Sequence, residues 1–260
     1  MDFTELDSLL SELNNYRPLQ EDEIKRLRDD ILVDYTYNSN AIEGNTLTLD
    51  ETALVLKEGI TIGEKPLKDH LEAIGHRDAF YYVEELVKDK IPISESVIRN
   101  IHALVLMNNR ENRGIYRKVP VRVGSEYLPP QPWEVPIKME QLVKEYNSDW
   151  TNLHIIEKNA LFHLSFESIH PFIDGNGRTG RLLLNLELMK NGYPVINIKF
   201  ADRRRYYDCF ADYHRTGKAD KMTSLIAEYE TAAIKRLIDI MSQRDKLITD
   251  EKKRKTNLFR

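Results

Sequence analysis

Over most of the chain, apolar residues recur every three or four positions, the period of a helix with one buried face. The first stripe, Phe3, Leu6, Leu9, Leu10 and Leu13, predicts a short helix within residues 1–17 that ends near Asn14-Asn15. A longer helix is expected over 20–43, stopped by Gly44-Asn45. Thr48-Leu49-Asp50-Glu51 has the form of a capping box, in which hydroxyl and carboxylate satisfy each other's free backbone N–H groups, and the helix it opens should stop by Gly59. Leu71, Ile74, Phe80, Val83 and Val87 predict a helix over 67–89. Ser94 is the expected N-cap of the next helix, which runs to about Met107, with Ile93 and Ile98 as its hydrophobic staple. Further helices are predicted over 134–147, 155–168, 177–190, 203–216 and 221–246. One stretch breaks the pattern: residues 114–130 alternate in the manner of strands around Gly124-Ser125 and predict a small hairpin. The expected fold class is therefore mostly α with one small β-hairpin.

Composition narrows the class without choosing a function. A chain of 260 residues with 41% hydrophobic and 31% charged residues is long enough for one large domain or two small ones, and has the make-up of a soluble globular protein. A formal charge of −4 gives no general reason to expect nucleic acid. The sole cysteine, Cys209, excludes an internal disulfide framework and a cysteine-rich zinc site, and is expected to be a buried small side chain. The acidic start Met-Asp-Phe-Thr-Glu-Leu-Asp lacks the apolar core of a signal peptide, and no apolar run approaches the roughly 18 residues of a membrane span, so a cytoplasmic protein is expected. Lys252-Lys253-Arg254-Lys255 reads as a solvated basic tail.

The chemistry concentrates between Ser168 and Asn185. Twelve positions there hold an imidazole (His170), a carboxylate (Asp174), the turn Gly175-Asn176-Gly177 and two guanidiniums, Arg178 and Arg181. An apolar run from Leu182 to Met189 follows, so the turn opens a helix. A helix start presents unpaired N–H groups and the positive end of the dipole to an anion. Glycines let the backbone approach closely. Arg178 and Arg181 are three apart, hence neighbours on the first turn, and their planar forks match phosphate oxygens. Asp174 is a hard oxygen ligand of the kind Mg²⁺ takes beside phosphates. An imidazole with an ordinary pKa of about 6.5 can accept a proton near neutrality. The residues together describe a polyphosphate site.

The run from His170 through Arg181, His-Pro-Phe-Ile-Asp-Gly-Asn-Gly-Arg-Thr-Gly-Arg, resembles the signature of the Fic (Fido) family, His-x-Phe-x-Asp/Glu-Gly-Asn-Gly-Arg-x-x-Arg, at every specified position. The resemblance implies a Fic-type helical core over about 95–220, following an N-terminal helical region (1–94) and followed by a C-terminal helix and tail (221–260), with the hairpin as a flap whose residues Val121, Arg122, Val123 and Gly124 dock a target protein. It implies transfer of AMP from ATP to a Ser, Thr or Tyr hydroxyl, with His170 as base, Asp174 holding Mg²⁺, and Gly175, Asn176, Gly177, Arg178 and Arg181 on the phosphates. The Doc branch, which phosphorylates, carries lysine at the position of Gly177. Ser39-Asn40-Ala41-Ile42-Glu43-Gly44 resembles the family's inhibitory motif, so a helix at about 20–45 is expected to carry Ser39 and Glu43 on one face and to pair the Glu43 carboxylate bidentately with Arg181. Tyr206 and Tyr207 stand where a tyrosine pair bounds the adenine, but His214 replaces the asparagine expected seven positions on. The alternatives are removal of AMP by the same residues, or a nucleotide-binding module without transfer. The resemblance also implies a possible homodimer.

Overall fold

The computed structural model describes residues 1–17, 21–124 and 127–258, except for the side chains of 21–24, 26, 30 and 247–258. Ser125 of the expected turn, and the side chains of the basic run 252–255, therefore lie outside the described residues. Ten α-helices form among those residues: α1 (Thr4–Asn14), α2 (Glu21–Ile42), α3 (Leu49–Ala53), α4 (Leu67–Lys88), α5 (Glu95–Val105), α6 (Val135–Lys144), α7 (Ile155–Ile169), α8 (Asn176–Lys190), α9 (Arg203–Thr216) and α10 (Asp220–Leu258). Single π turns extend α3 and α6, and 3₁₀ turns lead into α6 and α9.

The local signals act as chemistry requires. At α3, the Thr48 N–H donates to Glu51 Oε2 (2.7 Å) and the Glu51 N–H to Thr48 Oγ1 (3.2 Å). Gly59 then ends the π turn at φ 67°, a left-handed conformation that suits glycine. Ser94 Oγ accepts from the Val97 N–H (3.3 Å), and Ile93 and Ile98 are both buried in one core. The last helix runs past the expected end at 246, because the residues that follow include neither glycine nor proline to stop it.

α8 is the axis of the molecule. Every residue from Arg178 to Leu188 is buried, as expected of a helix apolar on more than one face. Leu182, Leu183 and Leu186 join a core with α2, α4, α5, α6 and α7, whereas Leu184 and Leu188 join a second core with α1, α7, α9 and α10. The polar residues between them are satisfied: Asn185 exchanges two hydrogen bonds with the backbone of Ile196 (3.0 and 2.9 Å), and Glu187 accepts from Tyr146 (2.6 Å) and Lys190 (2.8 Å).

The hairpin expected over 114–130 does not form as a pair of strands. Among the described residues it amounts to one antiparallel bridge, in which the Val123 N–H donates to the Tyr127 carbonyl at 3.2 Å. The reason is the use of its backbone groups. Pro120, Pro129 and Pro130 have no N–H to give. The carbonyls of Val119 and Pro130 are instead taken by the Arg117 guanidinium (3.2 and 2.5 Å). No helix among the described residues is long and apolar enough to cross a membrane.

Candidate active site

His170 ends α7. Its N–H donates to the Phe166 carbonyl (2.9 Å) and its φ of 49° is left-handed, which turns the chain sharply into the loop before α8. That loop is held from three sides. Asn176 Oδ1 accepts from the Phe172 N–H and its Nδ2 donates to the Phe172 carbonyl, both at 2.9 Å. His102, stacked on Phe172 (centroids 3.6 Å apart, planes 5° apart), bonds the Asp174 carbonyl through Nε2 (2.9 Å) and accepts the Gly114 N–H at Nδ1 (2.9 Å). Both bonds require the neutral tautomer with its proton on Nε2. Buried Arg117 supplies the third anchor: Nε donates to the His170 carbonyl (2.8 Å) and Nη2 to the Ile169 carbonyl (3.4 Å), while its own N–H reaches the Pro171 carbonyl (2.9 Å). The guanidinium that shapes the flap thus also grips the imidazole loop. Gly175 caps α8 at φ 77°, and a Cβ there would meet Val105 at 3.3 Å.

The two arginines diverge to separate carboxylates. Arg178 Nη2 donates to Asp174 Oδ1 (3.1 Å) and Nη1 lies 3.0 Å from Glu72 Oε1 on α4. Arg181 faces α2: Nε donates to Ser39 Oγ (3.0 Å), and Nη2 donates to the Ser39 carbonyl (2.7 Å) and Glu43 Oε1 (2.8 Å). Its Nη1 points to the Tyr206 hydroxyl at 3.5 Å. Burial works against the charge of Arg181, but Glu43 and Tyr206 more than restore it and hold its pKa above the ordinary value. Glu43 Oε1 would lie 2.1 Å from a Cβ at Gly177, so the carboxylate seats on bare backbone.

A cavity of about 1120 Å³ opens here, with Glu43, Val123, Gly124, Tyr127, Glu167, His170, Gly177, Arg181, Tyr206, Tyr207 and His214 among its lining residues. The sequence-expected residues therefore separate. His170, Gly177, Arg181, both tyrosines and the flap tip Val123-Gly124 meet at the cavity; Ser39, Asn176 and Arg178 are buried around it, and Asp174 stands half-exposed beside Arg178. Val121 is partly buried and Arg122 exposed. Tyr206 is a packing residue, 1% exposed, whose hydroxyl bonds His163 Nε2 (2.7 Å), whereas exposed Tyr207 donates to the Ile42 carbonyl at the end of α2 (3.1 Å). His214 stacks on Tyr127 (3.6 Å, 7°) and bonds Ser168 Oγ (2.9 Å), so the residue that departs from the expected asparagine closes the flap side of the cavity. Desolvation above all pushes the His170 pKa down to about 4, leaving the ring neutral near pH 7. Its Nδ1 is buried, so Nε2 is the nitrogen available to the cavity.

Sequence reasoning missed Glu72, His102, Glu167 and Tyr127. Only Glu167, three residues before His170, had a positional signal, since that spacing places both on one face of α7.

With a helix N-terminus, an imidazole at the preceding helix end and a carboxylate-capped arginine brought together in an α-helical fold, the chain is similar to proteins of one family. Residues 92–188 match the Fic/DOC family. A protein adenylyltransferase Fic from Drosophila grimshawi is 36% identical over 186 residues, covering 71% of this chain and 38% of the relative. Among solved structures, Fic-1 from C. elegans is 30% identical with a TM-score of 0.79, covering 92% of this chain and 72% of that one. A Fic domain containing signaling protein from Bacteroides thetaiotaomicron is 29% identical with a TM-score of 0.84, covering 91% and 96%. The chain belongs to the Fic/DOC family. It spans less than half the length of the curated relatives it matches, 38% and 44% in two of them.

Proposed function

We propose that this protein transfers AMP from ATP to a Ser, Thr or Tyr hydroxyl of a target protein, and that Ser39 of α2 and Glu43 just past its end hold the site off. The observation that carries this reading is the meeting of His170, Gly177 and Arg181 at one cavity, with the Glu43 carboxylate seated on Arg181 where a phosphate would otherwise sit. On this reading residues 95–220 are the catalytic core, 1–94 the inhibitory region and 221–260 a C-terminal extension. The α8 N-terminus receives the phosphates, with Arg178 serving the β-phosphate and Arg181 the γ-phosphate. Tyr207 borders the base, and the Val121–Gly124 run offers main chain to an extended target segment. The target oxygen bonds to the α-phosphorus, the bond to pyrophosphate breaks, and the hydroxyl proton passes to His170 Nε2. Positioning and charge stabilisation account for most of such a reaction.

Mg²⁺ fits this site as a partner of the nucleotide. No group of three or more metal-binding side chains exists among the described residues, so an ion here would take Asp174 plus phosphate and water oxygens, the coordination Mg²⁺ favours. When bound it supplies neutralisation of phosphate charge. The half-exposed Asp174 carboxylate, fixed by Arg178 and the Gly175 N–H (2.6 Å), is the side chain to hold it.

The test is incubation of Glu43→Gly protein with ATP labelled at either the α- or the γ-phosphate, scored on a gel with candidate target proteins present. Label arriving from the α-position alone supports AMP transfer. Label arriving from the γ-position alone makes the protein a kinase and ends this reading.

A further inference from the structure

A second carboxylate lies at the cavity. Glu167 on α7 places Oε2 at 3.7 Å from His170 Nδ1. Glu167 Oε1 and His170 Nδ1 are both buried and without a hydrogen-bond partner. The carboxylate fits because position 180 is glycine: a Cβ there would lie 2.6 Å from Glu167 Oε1. Gly177 and Gly180 are three apart on α8 and so form one bare stripe beside Arg181. Glu43 leans on that stripe from the turn that ends α2, and Glu167 from α7. Glu43 bonds the guanidinium; Glu167 Oε1 has no hydrogen-bond partner.

A buried carboxylate beside a second one does not ionise cheaply. Burial first, and the Glu43 charge second, push the Glu167 pKa up to about 8, against the opposing pull of Arg181. The other groups facing this pair are His163 on α7, Tyr206 and Tyr207 on α9, and Arg117 and Asp174 near His170. His163 is held neutral, its pKa pushed by burial down to about 3, and bonds Tyr206, so it offers no charge to either. While Glu43 is seated, Glu167 is biased toward its protonated form, so the carboxylate nearest His170 Nδ1 offers an imidazolium little charge, and only the more distant Glu43 and Asp174 favour it.

Building on the transfer reaction above, we propose that Glu167 is a positioning residue for His170: once Glu43 leaves, the Glu167 carboxylate takes the negative charge of the pair and holds the Nδ1–H of the imidazole while Nε2 receives the target's proton. Seated Glu43 therefore disables the base as well as the phosphate arginine. No atoms beyond that proton are exchanged in this step; the proton enters at Nε2, and the Nδ1–H stays on the ring, hydrogen-bonded to the carboxylate.

The experiment is an NMR titration of histidine-labelled protein without nucleotide, with His170→Asn assigning the resonance. Loss of the Glu43 charge by itself would lower the His170 pKa, because that charge raises it. The proposal expects the opposite: Glu43→Gly raises the His170 pKa by about one unit, and adding Glu167→Gln removes the rise. Glu167→Asp, which keeps the charge, should retain part of it and serves as the decisive variant if Glu167→Gln does not fold. In labelling assays, Glu167→Gln in the Glu43→Gly background should lower kcat about tenfold with KM for ATP within about twofold. Identical His170 titrations with and without the Glu167 carboxylate overturn the proposal, as does a loss confined to KM. Because the titration needs neither ATP nor target, it stays readable even where AMP transfer fails.

Discussion

Replacing Glu43 with glycine removes the one carboxylate on Arg181 and leaves the guanidinium its two bonds to Ser39 and its approach to Tyr206. The lost contact is a charge-assisted bond of 2.8 Å. Such bonds contribute roughly 1.5–3 kcal/mol. The Glu43 side chain is 33% exposed, so solvent screens it and the lower end applies. About 1.5 kcal/mol corresponds to roughly tenfold in an equilibrium constant. Glu43→Gly should therefore tighten ATP binding about tenfold and raise the initial rate of labelling from α-labelled ATP by at least that factor, since a γ-phosphate no longer competes with a resident carboxylate. Calorimetry with ATP and Mg²⁺ reads the first quantity and gel autoradiography the second. A folded Glu43→Gly protein whose ATP affinity and labelling rate both stay within about twofold of wild type would refute the reasoning.

Three further outcomes are expected. His170→Ala in the Glu43→Gly background should abolish labelling while leaving ATP affinity within about twofold, because in the proposed reaction the imidazole serves the attacking hydroxyl and the arginines serve the phosphates; calorimetry and labelling together separate the two. His102→Ala removes the link between the Asp174 carbonyl and the Gly114 N–H, and should raise the Mg²⁺ concentration needed for half-maximal labelling, with His102→Gln recovering part of the loss. Glu230 is fully buried in the second core with no partner for either carboxylate oxygen, and desolvation raises its pKa well above the ordinary value. The folded chain thus keeps a proton that the unfolded chain releases near pH 4.3. Stability from this group is complete below that pH and falls as the pH rises toward the folded-state pKa. Glu230→Met should stabilise the protein at pH 8 by about 1–3 kcal/mol and flatten its loss of Tm with rising pH, measured by calorimetric melting.

Most helices were legible because each buries a stripe whose period is visible in the chain, as with Leu71 through Val87. Caps at Thr48 and Ser94 were legible because capping is chemistry between residues three apart. The signature from His170 to Arg181 was legible for the same reason: one loop and one helix turn contain it. The flap was misread because alternation reports side chains, whereas a strand pair needs free backbone groups, and here prolines and Arg117 had removed them. Glu72 and His102 gave no sign, since each meets its partner only through the packing of α4 and α5 against α8. The divergence of Arg178 from Arg181 was likewise invisible: their spacing puts them on one turn, and the carboxylates on α4 and just past the end of α2 draw them apart.

Arg117 has one consequence for substrate choice. Its guanidinium fastens the Val119 and Pro130 carbonyls, at the two roots of the proposed docking flap, and the His170 carbonyl into one frame, and among the described residues no carboxylate competes for it. The gap between a docked main chain and the proton acceptor is thus set before any substrate arrives. On the proposed transfer reaction, hydroxyls would be sorted by reach, as a gauge sorts pins by length. A tyrosine oxygen stands several ångströms farther from its backbone than that of serine or threonine, and peptides differing only in that residue should be modified at sharply different rates.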